Sequence, residues 1–154
     1  MTIRAAFYKG TRPGLPGVYN QLVRWWTRSP YSHCELVLSG GWCGSASFMD
    51  GGVKLRVIDF DPDRWDFVDL PAVLEPAALA WFDKHRDAKY DLLGNLHFVI
   101  SCVADDKKRW FCSEAIAAAL GIPDPWRYDP GTLASALKIF DRAAPSLFPL
   151  GALS

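Results

Sequence analysis

The chain has 154 residues, half of them apolar and seven of them tryptophan, and its 17 Lys and Arg balance its 17 Asp and Glu. This length and composition predict one folded domain over residues 1–154 with a real core, and exclude a disordered chain. A formal net charge of zero offers no basic surplus for nucleic acid or an anionic membrane, and no apolar run is long enough to span a bilayer.

The segment Met1 to Lys9 lacks the apolar run of a signal peptide, so the expectation is a cytoplasmic protein as synthesised. Four cysteines occur, Cys34, Cys43, Cys102 and Cys112. With no secretion signal they are expected to be reduced, and with no C-x-x-C pair a structural zinc site is not expected. No cofactor is expected.

Ile3 to Tyr8 is apolar and β-prone and ends at the turn residues Lys9 to Gly14, which predicts a short strand. Val18, Leu22, Trp25 and Trp26 recur at helical spacing with Arg24 and Arg28 on the other side, predicting an amphipathic helix over residues 16–28 that Ser29-Pro30 ends. Core packing is expected to absorb at least one of the two tryptophans; if both are exposed, a binding surface follows. His33 to Leu38 and Trp42 to Phe48 predict a hairpin about Gly40-Gly41. Val53 to Ile58 and Trp65 to Leu70 add two alternating strands. Successive short strands with tight turns imply an antiparallel sheet.

Helices are predicted from Glu75-Pro76 to about Arg86, through the apolar segment up to Val103, and from about Thr132 to Phe140. Between the last two lies Trp110-Phe111-Cys112-Ser113-Glu114, running into an alanine-rich helix that Gly121 stops. The fold class predicted is α+β, an antiparallel sheet of four to five strands with helices packed on it.

Cys112 falls at the first turn of its helix, where unpaired backbone N–H groups and the helix dipole favour thiolate, the nucleophilic form. A free cysteine is more often a small buried hydrophobe, so the assignment needs a base. His33, opening a strand that packs against helices, is the best candidate. His85, near a helix end, is expected to be solvated, and His97, in an apolar segment, to be structural. Cys34 alternates to the other sheet face from His33 and is expected to be buried.

The run Ser32-His33-Cys34-Glu35-Leu36 on a strand, followed much later by Phe111-Cys112-Ser113-Glu114 at a helix start, resembles the circularly permuted branch of the NlpC/P60 papain-like superfamily. Tyr90-Asp91 with Gly94, and a Pro-led helix after the cysteine, are similar to that group too. The resemblance covers about residues 3–140. It implies a papain-like fold and a cysteine peptidase or amidase, with Cys112 as nucleophile and His33 as base. It also implies a third polar residue on the strand after the histidine. Counting across the hairpin places the residues opposite His33 near Ser47 and Phe48, and Ser47 is the favoured third member. Asp50 is the second choice, because it carries charge but lies near the turn. Glu35, two residues along the histidine's own strand and on its face, can also reach. The oxyanion donor expected is the Cys112 backbone N–H, with Tyr90 or Tyr128 as candidate side-chain partners.

Three functions follow from these residues. One is a thiol hydrolase acting on an amide-containing substrate such as a peptidoglycan peptide. The second is a lipid-directed relative attacking an ester, and the third a non-catalytic module that keeps the fold. No nucleic-acid partner is expected, and oligomeric state is not readable.

Overall fold

The computed structural model describes residues 2–47, 49–90 and 109–143, the side chains of Tyr90, Arg109 and residues 140–143 excepted. The expectations for Tyr90's side chain, Asp91, Gly94, His97, Cys102 and the helix up to Val103 therefore lie outside the described residues.

Strand β1 (Ile3–Tyr8) leads through helix α1 (Leu15–Thr27) to β2 (His33–Val37), β3 (Trp42–Ser47), β4 (Gly52–Val57) and β5 (Trp65–Leu70). A 3₁₀ turn (Ala72–Leu74), helix α2 (Glu75–Lys84) and the short strands β6 (Lys89–Tyr90) and β7 (Arg109–Trp110) follow. Then come α3 (Cys112–Ala119), a 3₁₀ turn (Pro125–Arg127) and α4 (Pro130–Ala143). The fold is α+β: a five-stranded open antiparallel sheet of order β4-β3-β2-β1-β5 with, among the described residues, four α-helices. β6 and β7 form a separate two-stranded parallel pair.

The two sheet faces bury different sets, as strand alternation requires. Ile3, Ala5 and Phe7 of β1, Cys34 and Leu36 of β2, Val68 and Leu70 of β5 pack with Phe82 of α2, Ile116 of α3 and Leu133 and Leu137 of α4 in the main core. Ala6, Tyr8, Val37, Cys43 and Trp65 form a smaller cluster on the outer face, covered by Ile58, Phe60 and Phe67. Helix α2 lies so close to β3 that a Cβ on Gly44 would stand 2.5 Å from the Phe82 ring.

The strands follow the alternation within one residue of the predicted bounds. Helix α1 does not face as predicted. Its buried residues are Gly17 and Asn20, whereas Leu15, Val18, Leu22 and Trp25 are exposed. The reason is that its polar edge has partners in the body of the protein. Asn20 Nδ2 donates to Ser32 Oγ at 2.8 Å, and Arg24 Nη1 donates to the carbonyls of Lys9 at 2.7 Å and Gly10 at 3.2 Å. Turning those groups outward to bury leucine would leave the loop carbonyls unpaired.

Candidate active site

Helix α3 begins at Cys112, after extended Phe111. The Ser113 hydroxyl donates to the Tyr128 carbonyl at 2.7 Å and ties α3 to the following turn. Glu114 accepts from the Phe111 N–H at 3.4 Å, closing the first turn. Cys112 thus occupies the first helical position, where its own N–H has no partner within the helix.

The ladder between β2 and β3 pairs Leu36 with Gly44 and Val37 with Cys43 and goes no further, although both strands continue. At Cys34 the backbone has other partners. Its carbonyl accepts from Ser45 Oγ at 2.8 Å, and its N–H donates to the Cys112 sulfur. The Cys34 thiol, on the core face, also hydrogen-bonds the Cys112 sulfur, and so does the His33 ring.

The structure therefore brings Cys112 and His33 into contact across most of the chain. It does not bring Ser47 or Asp50 to the imidazole. His33 Nε2 lies 2.8 Å from Glu35 Oε1, and among the described residues no hydrogen bond joins His33 to Ser47. The hairpin count that favoured Ser47 assumes a ladder running to the strand end. Here β3 separates from β2 and pairs Ser47 with Gly52 of β4. Asp50 instead accepts from Arg56 Nη1 at 2.7 Å, while Arg56 Nη2 donates to Glu35 Oε1 at 2.6 Å. A charge relay of neighbours results: His33, Glu35, Arg56, Asp50. With Nε2 committed to Glu35, Nδ1 is the ring nitrogen left for the sulfur.

Electrostatics follow from this packing. The Cys112 thiol is held well below its ordinary value: the Cys34 thiol bonded to its sulfur contributes most, burial opposes, and His33 adds attraction. Burial depresses His33, but Cys112 and then Glu35 overcome this and raise it from 6.5 to about 9. The Cys34 thiol is pushed well above its usual value by burial and then by the neighbouring Cys112. Burial would raise Glu35, yet His33 and Arg56 hold it below the ordinary carboxylate range. The combination is a thiolate–imidazolium pair backed by a carboxylate with no solvent exposure.

Trp65 flanks the imidazole edge-on, with ring centroids 6.4 Å apart. Tyr128, a candidate oxyanion side chain, is half-buried against the core and holds Ser113 through its backbone. His85 is not simply solvated, since its ring stacks on Trp81 at 4.1 Å. Among the described residues no group of three His, Cys, Asp or Glu side chains is arranged to hold a metal.

Three participants were not assigned to the site from the sequence. In the sequence Arg56 is one more alternating strand residue, whereas register places it beside Cys43 on the outer face with Glu35. Cys34 is buried, as its alternation predicts, and its thiol also bonds the Cys112 sulfur, a tertiary contact that no motif signals. Trp65 depends on β5 pairing with β1 rather than with its sequence neighbour β4. Comparison with protein-family models, curated proteins and solved structures finds no match to this chain.

Proposed function

We propose that the protein is a thiol hydrolase of the permuted NlpC/P60 papain-like type, cleaving an amide such as one in a cell-wall peptide. The single observation that carries this reading is the contact of Cys112 with His33, whose other ring nitrogen is bonded to buried Glu35. A nucleophile, a base and an orienting acid are the three parts such chemistry needs. In this assignment Glu35 takes the third role, in place of Ser47 or Asp50.

The Cys112 thiolate attacks the carbonyl carbon, forming a C–S bond as the π electrons move onto oxygen. The Cys112 N–H, at the first helical position, is the donor this reading assigns to that developing oxyanion. Collapse of the intermediate breaks the C–N bond, and His33 gives its proton to the leaving nitrogen. Water then adds to the acyl-enzyme, losing its proton to His33, and the carboxylic acid leaves Cys112 as thiolate. Glu35 holds the ring orientation and its charged form throughout, with Arg56 fixing the carboxylate.

The ester-directed reading uses the same steps with an alcohol leaving group, and the outward apolar face of α1 favours it. Mass spectrometry after incubation with a panel of amide and ester substrates tests both. The expected result is an acyl adduct on Cys112 that Cys112→Ala abolishes. Turnover that survives Cys112→Ala removes the hydrolase assignment. So does iodoacetamide labelling near pH 6 that is uniformly slow at Cys34, Cys43 and Cys112.

A further inference from the structure

Helix α1 presents an apolar stripe to solvent. Leu15, Val18, Leu22 and Trp25, spaced by three and four residues, are 84%, 54%, 58% and 74% exposed. Trp26 lies beside them, with its ring centroid 6.1 Å from that of Trp25. In the loop ahead of the helix, Arg12 Nη1 donates to the sulfur of exposed Met49 at 2.9 Å. A contiguous patch of large apolar side chains marks an interaction surface.

Charge selects the occupant. The chain is neutral overall, but its first 34 residues hold Arg4, Lys9, Arg12, Arg24 and Arg28 and no acidic residue. Lys9 is spent on Asp66. Arg12, Arg24 and Arg28 pair with no carboxylate among the described residues. Arg12 precedes the stripe and Arg28 follows it, so long cationic side chains bracket an apolar face carrying an exposed tryptophan. That is the arrangement of a helix lying in a headgroup boundary. A second copy fits worse, because any two-fold α1-to-α1 contact would set basic residues against basic residues.

We propose that α1 docks the protein on an anionic lipid surface. Leu15, Val18, Leu22 and Trp25 enter the boundary between headgroups and acyl chains, and Arg12 and Arg28 reach lipid phosphates. The inference does not depend on the bond that Cys112 attacks. It does set the geometry of delivery: on the inner side of α1, Asn20 bonds Ser32, the residue before His33. Docking would thus bring the Cys112–His33 pair near the lipid surface.

The test is cosedimentation of the full chain with vesicles of phosphatidylcholine mixed with phosphatidylglycerol, and with phosphatidylcholine alone. Binding is expected to favour the mixed vesicles and to weaken as salt is raised. Leu22→Glu and Trp25→Glu should each weaken it by about tenfold or more, and Arg28→Glu by less. The Cys112 labelling rate should be unchanged in all three variants, which reports an intact fold. No binding of the unsubstituted chain to mixed vesicles overturns the proposal, as does binding that both glutamate variants retain. Self-association abolished by the same variants would assign the stripe to a second copy instead.

Discussion

Helices α3 and α1 look alike as strings of apolar residues at three- and four-residue spacing, yet they sit in opposite ways. Seven of the eight residues of α3 are buried, whereas α1 buries Gly17 and Asn20 and turns its leucines and Trp25 outward. The difference lies in the partners available to the polar groups. In α3 the hydroxyl of Ser113 and the carboxylate of Glu114 find backbone groups within a turn or in the next loop, so the helix can be buried without leaving them unpaired. In α1 the partners are carbonyls of the preceding loop for Arg24 and the Ser32 hydroxyl for Asn20, and Gly17 lets the helix approach; a Cβ there would lie 1.9 Å from the Arg12 carbonyl oxygen. Hydropathy alone does not set which face goes inward. The location of unpaired backbone groups does.

The largest effects are expected at the inner helix. Cys112→Ala should remove acyl transfer altogether, and His33→Ala should lower kcat/KM by about a thousandfold or more in an assay against whichever substrate forms the adduct. Both variants should keep the circular dichroism of the parent. The reason the loss is so steep is that one sulfur and one ring do all the bond-making. An α1 variant such as Leu22→Glu, assayed on a water-soluble substrate, should leave kcat nearly unchanged. If it lowers kcat as much as His33→Ala does, the division of labour between the two helices is wrong.

Next comes packing. Ile116, fully buried in the main core, should cost about 3 kcal/mol when cut to alanine, lowering Tm by about 10 °C. A loss below about 1 kcal/mol in denaturant unfolding would mean that α3 is less tightly held than its burial indicates.

Glu35→Gln keeps an acceptor for His33 but removes the charge. His33 is raised from 6.5 to about 9. The stabilisation this brings is fully present below about 6.5 and is lost as pH rises through about 9, where the imidazolium gives up its proton. Cys112 is depressed, so its thiolate is lost only as pH falls through its lowered value. The paired state therefore holds between those limits. Activity is expected to fall on the alkaline side near pH 9 in the parent and at lower pH in the variant. The pH dependence of kcat measures this, and an alkaline limb that does not move would remove Glu35 from the pair.

The strands, the chain order of His33 before Cys112 and the start of α3 were legible in the sequence. Alternation and a helix start are local patterns, and each of these elements satisfies its own. What was not legible depends on tertiary events. The sheet order puts β5 beside β1, which brings Trp65 to His33. The β2–β3 ladder ends early, so the hairpin count toward Ser47 fails while the i, i+2 relation of Glu35 to His33 survives, because a residue's own strand needs no register. Cys34→Ala tests another contact of this tertiary kind. It removes the thiol donor that contributes most to depressing Cys112, so labelling near pH 6 should slow by about tenfold. An unchanged rate would leave His33 and the helix start as the source of the thiolate.

The smallest expected effect separates the two helices most cleanly. Leu22→Ala removes the same kind of apolar group as Ile116→Ala, at the same kind of helical spacing. Leu22 is 58% exposed and Ile116 is fully buried, so the folded state has little packing to lose at Leu22, and alanine has the higher helix propensity. Stability in denaturant should change by less than about 0.5 kcal/mol. Partition onto anionic vesicles should still fall, since the bound state would bury the side chain that the free state exposes. A stability loss near that of Ile116→Ala would mean that another part of the chain already covers the stripe. In that event α1 would be an ordinary core helix, its polar hydrogen bonds a minor feature of how it is held.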